Sequence, residues 1–368
     1  MPPPEEEQQP PEEEQHQPST TDLGDPTSPD ANSRPKRRKK RVWFVRFAQQ
    51  DLKGWSPIIT GNAVVAFFFL SGCVLIGLGV AVLIASLGVK EVKATYTSVG
   101  PMAGLSRQQQ QDLLWSNSGD GVPATVNLTI PEALTPPIYV YYELSDFYQN
   151  HKRYVRSRDN KQLAGKTPNP SSQCDPQRFV GDDASRGSIN PCGLTAWSNF
   201  NDTFLLSTSS GAAISIDDSH IAWHYDQDTL YGHFQPVNYN NFTQFRGGNT
   251  TSTQFLDEDQ HFIVWMRPAA HKTFRKLYGQ INQPLAKGTT VQVNITNRYN
   301  TYSFGGLKAV VLSTSSWVGG HNNFLGIFYL IIGGASMLTA IAFLSAYHLG
   351  LAPRREFGDM NYLSWNRM

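Results

Sequence analysis

The sequence predicts a membrane protein: two transmembrane α-helices and, between them, a large β-rich, β-sandwich-like domain that contains short helices and faces the lumen or the cell exterior. Three observations predict it. Two long stretches carry no charged side chain, basic residues cluster on the outer flank of each, and all five usable Asn-x-Ser/Thr tripeptides lie between them. Composition agrees, because charged residues are only 17%, below the roughly 25% usual in soluble domains. Lys+Arg 31 against Asp+Glu 30 leaves a net charge of +1, which excludes a nucleic-acid binder driven by bulk charge. Three cysteines exclude a disulfide-dense scaffold and a cysteine-rich metal module.

Residues 1–33 hold nine acidic residues, no Lys or Arg, and many Pro and Gln. Such a segment cannot bury a core and is expected to be disordered. Residues 34–55 are basic: Arg34, Lys36, Arg37, Arg38, Lys39, Lys40, Arg41, Arg46 and Lys53 face a single acid, Asp51. Beside a membrane span, that run sets topology and attracts anionic phospholipids at about 1 kcal/mol per residue. Residues 56–89 form the first apolar block, free of Asp, Glu, Lys and Arg. A bilayer core about 30 Å thick needs ~20 such residues as helix, and the block starts too late for a signal peptide. Residues 90–320 form the water-facing domain. Ala309 to Pro353 again lacks charge; its first part reads as strand plus loop, and residues 324–349 read as the second span. Arg354 and Arg355 follow, in the tail 350–368. Positive residues stay cytoplasmic, so both termini are expected in the cytoplasm of an integral membrane protein.

The sequons Asn127, Asn201, Asn241, Asn249 and Asn294 all fall in the domain expected to be lumenal, where glycosylation occurs; Asn169 precedes Pro170 and is excluded. Cys174 and Cys192 are the only cysteines of that domain, and an oxidising compartment should join them, for about 3 kcal/mol in the chain-entropy account. Cys73, inside the first span, is a small apolar packing residue or a palmitoylation site. Strands are expected at Ile138–Tyr142, His261–Met266, Thr290–Thr296 and Lys308–Leu312, and a helix over Ala269–Leu277. In Thr290–Thr296 the alternation puts Val291, Val293 and Ile295 on one face and Asn294 on the wet one.

Chemistry-bearing patterns are sparse. Gly165-Lys166-Thr167 mimics the end of a phosphate loop, but Asn160 stands where the first glycine is needed. His220 and His224 lack companion ligands, and the pairs Asp182-Asp183 and Asp217-Asp218 should point apart, unlike converging glycosidase carboxylates. No nucleophile elbow or zinc-protease motif occurs, so neither catalysis nor a cofactor nor a metal is expected. The basic stretch Tyr148 to Lys161 is either a solvated helix face or a contact for a protein loop or lipid head groups. Gly77, Ala81 and Ala85 recur every four residues in the first span, a spacing that lets helices approach closely. The second span is the simpler candidate to meet them; a partner helix is the other.

Six blocks in order resemble the cell division control protein 50 family, the ligand-effect modulators. They are QQDLKGWSPIIT (Gln49 to Thr60), YYELSDFYQNHKRYVRSRDNKQLAG (Tyr141 to Gly165), NPCGLTAWSNFNDTF (Asn190 to Phe204), HFIVWMRPAAHKTFRKLYGQI (His261 to Ile281), LSTSSWVGGHNNFLGIFYLIIGG (Leu312 to Gly334) and GDMNYLSWNR (Gly358 to Arg367). The resemblance spans roughly Phe47 to Met368. One departure is that no cysteine pair follows the first span, where many relatives carry one.

The resemblance implies an antiparallel β-sandwich flanked by short helices, bridged by Cys174–Cys192, and no catalysis of its own. It implies the accessory (β) subunit of a type-IV P-type ATPase, a phospholipid flippase. Such a subunit supports the catalytic chain's folding, its exit from the endoplasmic reticulum and its aminophospholipid transport cycle, in endoplasmic reticulum, Golgi, endosomal or plasma membranes. From the residues alone, a two-span channel subunit or receptor with a glycosylated ectodomain is the alternative, and a membrane-tethered hydrolase a third; the hydrolase lacks a nucleophile–base set.

Overall fold

The computed structural model describes residues 44–50, 60–239 and 254–351. The acidic tail, the basic run apart from Arg46, the sequons Asn241 and Asn249, and the terminal tail beyond residue 351 lie outside the described residues. Residues 44–48 are helical and belong to a separate unit of the chain.

Two helices dominate the larger unit. Helix α1 (Gly61–Leu87) has 27 residues, with Thr60 accepting from the Ala63 amide as its cap. At 1.5 Å per residue it is about 40 Å long, enough to cross hydrocarbon with some tilt. The last helix, α8 (Phe324–His348), has 25 residues. Both are long and apolar enough to span a membrane.

Between them two antiparallel four-stranded sheets face each other. One sheet takes β1 (Glu91–Thr95), β8 (Lys308–Ser313), β3 (Ile138–Leu144) and β6 (Phe274–Ile281), in that order. The other takes β2 (Val122–Thr129), β7 (Thr290–Asn297), β4 (Thr203–Thr208) and β5 (Ala213–Ile214). The alternation in β7 is as expected: Val291, Val293 and Ile295 are buried and Asn294 is exposed. Strand β2 alternates strictly, burying Val122, Ala124, Val126 and Leu128. Inward side chains of both sheets, such as Val140, Val310, Leu312, Val293 and Ile295, fill one core. Strand β8 is buried along its whole length.

Two expected elements change identity. His261 to Met266 is not a strand; it is the helix α7 (Gln260–Met266), capped by Asp259, which accepts from the Phe262 amide at 2.9 Å. Phe262, Ile263, Trp265 and Met266 are each at most 1% exposed. A run this short and mostly apolar offers too little period to read, so the capping Asp259 decides. Ala269 to Leu277 is not a helix: residues 269–273 form a loop, and Phe274 starts β6. The alternation there was hidden because Lys276 occupies a buried position, 7% exposed.

The remaining short helices are α2 (Arg107–Ser116), α3 (Lys152–Arg156), α4 (Asn160–Leu163), α5 (Leu194–Trp197) and α6 (His224–Leu230). Helix α2 carries a capping box between Ser106 and Gln109. It closes one end of the sandwich over a small second core of Met102, Leu114, Val122 and Tyr302. Apolar burial and the Gln110 amide, donating to Met102 O at 2.8 Å, hold this stretch. The basic stretch resolves into α3 and α4, with Lys152, Arg153, Arg156 and Lys161 exposed while Arg158 donates to Met266 O. Asp217 and Asp218 diverge, one accepting from Ser219 and the other facing His261.

Candidate partner interface

The helix pair meets through glycine. A Cβ on Gly72 would lie 3.1 Å from Gly333 O, and one on Gly79 would lie 3.0 Å from the Leu330 amide. From the other side, a Cβ on Gly326 would lie 3.0 Å from the Leu83 amide and one on Gly333 2.9 Å from the Ile76 amide. In both helices the two glycines are seven residues apart, which returns to one face after two turns. Bare backbone lets the helices touch, and dispersion rather than the hydrophobic effect holds them in lipid. At the sandwich end a polar clamp adds to this: Ser86 Oγ donates to Asn323 Oδ1 at 2.8 Å and accepts from the Asn322 amide at 2.9 Å.

The stripe Gly77, Ala81 and Ala85 does not make this contact. A Cβ on Gly77 meets nothing within 4 Å, and Gly77 and Ala81 are exposed, with Ala85 half-buried. The reason is angular: Gly72, Gly79, Val82 and Ser86 are the buried positions of α1, and the stripe lies off that line. The seven-residue spacing of Gly72 with Gly79 and of Gly326 with Gly333 was the signal to read. Outward, α1 and α8 present Leu70, Val74, Ile84, Ile331 and Leu338, all more than half exposed. Cys73 is also exposed.

The sandwich has two unlike outer faces. On the β2–β7–β4 sheet, Asn127 and Asn294 both point outward, and Thr125 Oγ1 donates to Asn294 Oδ1 at 3.0 Å. Asn201 lies apart from them and is 8% exposed. On the β1–β8–β3–β6 sheet an ion network crosses the strands. Arg275 donates to Glu91 at 2.6 and 2.8 Å and to Glu143 at 2.8 Å, and Lys93 also pairs with Glu143. Burial alone would raise the Glu143 carboxyl, but hydrogen bonds from Lys93 and Arg275 outweigh it and hold it below the usual range.

Two cations lie inside the lobe. Lys308 is 0% exposed; its ammonium donates to Asp202 Oδ2 at 2.9 Å, Asn297 Oδ1 at 2.5 Å and Tyr299 O at 2.6 Å. Burial lowers its pKa, with Asp202 opposing. Lys276 Nζ donates to Val264 O at 2.9 Å, Trp265 O at 3.1 Å and the carbonyl of Arg267, capping the last turn of α7. Burial first, then the charge of Arg267, pushes Lys276 from the ordinary 10.5 down to about 7. Between those values the unfolded chain binds a proton that the folded chain lacks, so this residue makes stability rise with pH across that window. Lys276→Met is expected to remove that slope, at most about 1.4 kcal/mol per pH unit, as read from melts between about pH 7 and pH 10.

The disulfide joins Cys174 to Cys192, Cα atoms 5.6 Å apart, with both residues at most 1% exposed. It ties the segment after α4 to the approach to α5. Gln162 anchors the same place, accepting from the Cys192 amide at 2.8 Å. Among the described residues, no group of three or more His, Cys, Asp and Glu could hold a metal ion.

A helical hairpin with a β-sandwich between its two legs, the lobe carrying one disulfide, is the architecture of a two-span integral membrane protein. The sequence pattern of the LEM3 (ligand-effect modulator 3) family / CDC50 family matches residues 82–355. ALA-interacting subunit 3 of Arabidopsis thaliana is 41% identical over 344 residues, covering 91% of this chain and 94% of that one. Cell cycle control protein 50A of Bos taurus is 34% identical over 353 residues, 89% and 93% of the two chains. Cell cycle control protein 50B of Homo sapiens is 34% identical over 333 residues, 82% and 92%. The chain belongs to the LEM3/CDC50 family.

Proposed function

We propose that this chain is the non-catalytic accessory subunit of a phospholipid flippase, pairing with a type-IV P-type ATPase that performs the hydrolysis. The observation that carries this is the family match over residues 82–355, together with relatives named ALA-interacting subunits. The subunit stabilises the ATPase by mass action, since it binds only the folded pump. That supports the pump's exit from the endoplasmic reticulum, and unequal affinity for pump states then biases the aminophospholipid transport cycle. The contact on this side is the outward stripe Gly77, Ala81 and Ala85, where a partner helix finds a groove. Both termini are cytoplasmic and the sandwich is lumenal or extracellular.

Co-purification with a type-IV P-type ATPase tests the pairing. Gly77→Leu should leave the hairpin intact, since nothing lies within 4 Å of a Cβ there, yet reduce ATPase recovery. Equal recovery would remove the stripe from the interface, and no ATPase with the wild-type chain would remove the function.

Glycan mapping tests the orientation. Asn127→Gln and Asn294→Gln are each expected to abolish one mobility step that N-glycosidase removes from the wild-type chain. Sugars on both would cover the β2–β7–β4 face and leave the ion-network face of the other sheet for protein contact.

A further inference from the structure

The loop between β8 and α8 holds a tight turn. Ser316 and Gly319 exchange backbone hydrogen bonds at 2.9 Å each, and Ser316 Oγ also donates to Gly319 O at 3.1 Å. Gly319 has φ of +119°, a conformation that other residues rarely adopt. At the tip stands Trp317, 76% exposed. A large indole left in water by a pinned turn calls for an occupant.

The loop's two ends limit how far that tip can stand from the helices. The Thr314 amide donates to Lys90 O, and the Lys90 amide donates to Thr314 Oγ1, both at 2.9 Å. At the other end Asn322 and Asn323 are bonded to Ser86, one residue before the last of α1. Trp317 is five residues from Asn322, which is bonded to Ser86, so it lies within about 18 Å of the end of α1. That bound takes in the headgroup layer, about 6 Å deep on each side of the core. The helix ends nearby in the chain also expose apolar side chains: Phe324, which opens α8, is 71% exposed and Leu87, which ends α1, is 61% exposed. Indole, with an apolar body and one N–H, favours that layer.

We propose that the Ser316–Gly319 turn is a membrane-interface anchor, with Trp317 seated among the lipid headgroups of the leaflet on the sandwich side. It gives the lobe a third attachment to the bilayer beside the two helices. The inference requires only that the helix pair spans a bilayer, and it stands whether or not an ATPase is the partner.

The test uses the full chain in phosphatidylcholine nanodiscs. Cys73→Ala removes the one free thiol among the described residues, and Trp317→Cys then accepts a bimane label. The expected result is at least about twofold quenching by lipids that carry a nitroxide near the headgroup, and little quenching by aqueous iodide, the pattern of an interfacial site. Quenching by iodide and not by lipid would overturn the proposal. So would a label that iodide reaches in the chain alone and that an added ATPase shields, which would make the turn a protein contact. An unlabelled control avoids dependence on the cysteine variant. The emission lost in Trp317→Phe, taken as a difference from wild type, should be the part that brominated lipid quenches; if brominated lipid leaves that part unchanged, the anchor is refuted.

Discussion

Asp202→Asn is expected to cost the folded lobe about 3–5 kcal/mol, the penalty of leaving a buried charge without its partner. The lost charge is the one that matches Lys308, whose ammonium has three acceptors and no solvent. Asp202 also accepts from the Tyr96 hydroxyl at 2.8 Å and from the amides of Arg298 and Tyr299 at 2.5 and 2.6 Å. One carboxylate thus joins β8, the approach to β4, the loop after β7 and the residue following β1. Asparagine keeps one acceptor oxygen but offers amide hydrogens toward a cation. Thermal melts of the purified chain check this. The double variant Asp202→Asn with Lys308→Met should recover most of the loss, since a neutral pair of similar volume avoids the unpaired charge. If the double variant falls by the sum of the two single losses, the pair is not coupled and the argument fails.

Gly333→Leu is expected to part the helical hairpin. Its Cβ alone would stand 2.8 Å from Ile76 Cγ1 and 2.9 Å from the Ile76 amide, and 3.2 Å from Gly72 O. Flexible side chains can yield, but backbone cannot, so the helices must separate. Overpacking of this kind costs about 1–3 kcal/mol in a soluble core, and here the separation also strains the Ser86–Asn323 clamp. The yield of monodisperse chain in detergent should fall steeply for Gly333→Leu and hold for Gly77→Leu, whose position opens outward. Equal yields would mean that the hairpin does not depend on glycine contact.

The two apolar helices, the alternating β7 and the central β8 were legible because their periods are clean and their boundaries carry signals. The mostly apolar run of α7 was not, since a largely buried helix and a buried strand look alike over seven residues. Strand β6 was masked by Lys276, a charge at an inward position. That position is tolerable only because three carbonyls of a different element converge on it, which no local pattern records. The small-residue stripe of α1 was visible as a spacing, but spacing along one helix does not say which way the face turns. The glycines that do meet α8 become visible only when both helices are read together. The Asp202–Lys308 pair links residues more than a hundred positions apart and leaves no local trace.

Three residues, Gly88 to Lys90, separate α1 from β1, and β1 lies hydrogen-bonded along β8, the strand that leads back to α8. The hairpin and the edge of the sheet are therefore joined by a short link on one side and by the Lys90–Thr314 and Ser86–Asn323 hydrogen bonds on the other. A lean imposed on the helices inside the bilayer reaches the sandwich through that junction, and a push on the sandwich returns by the same route.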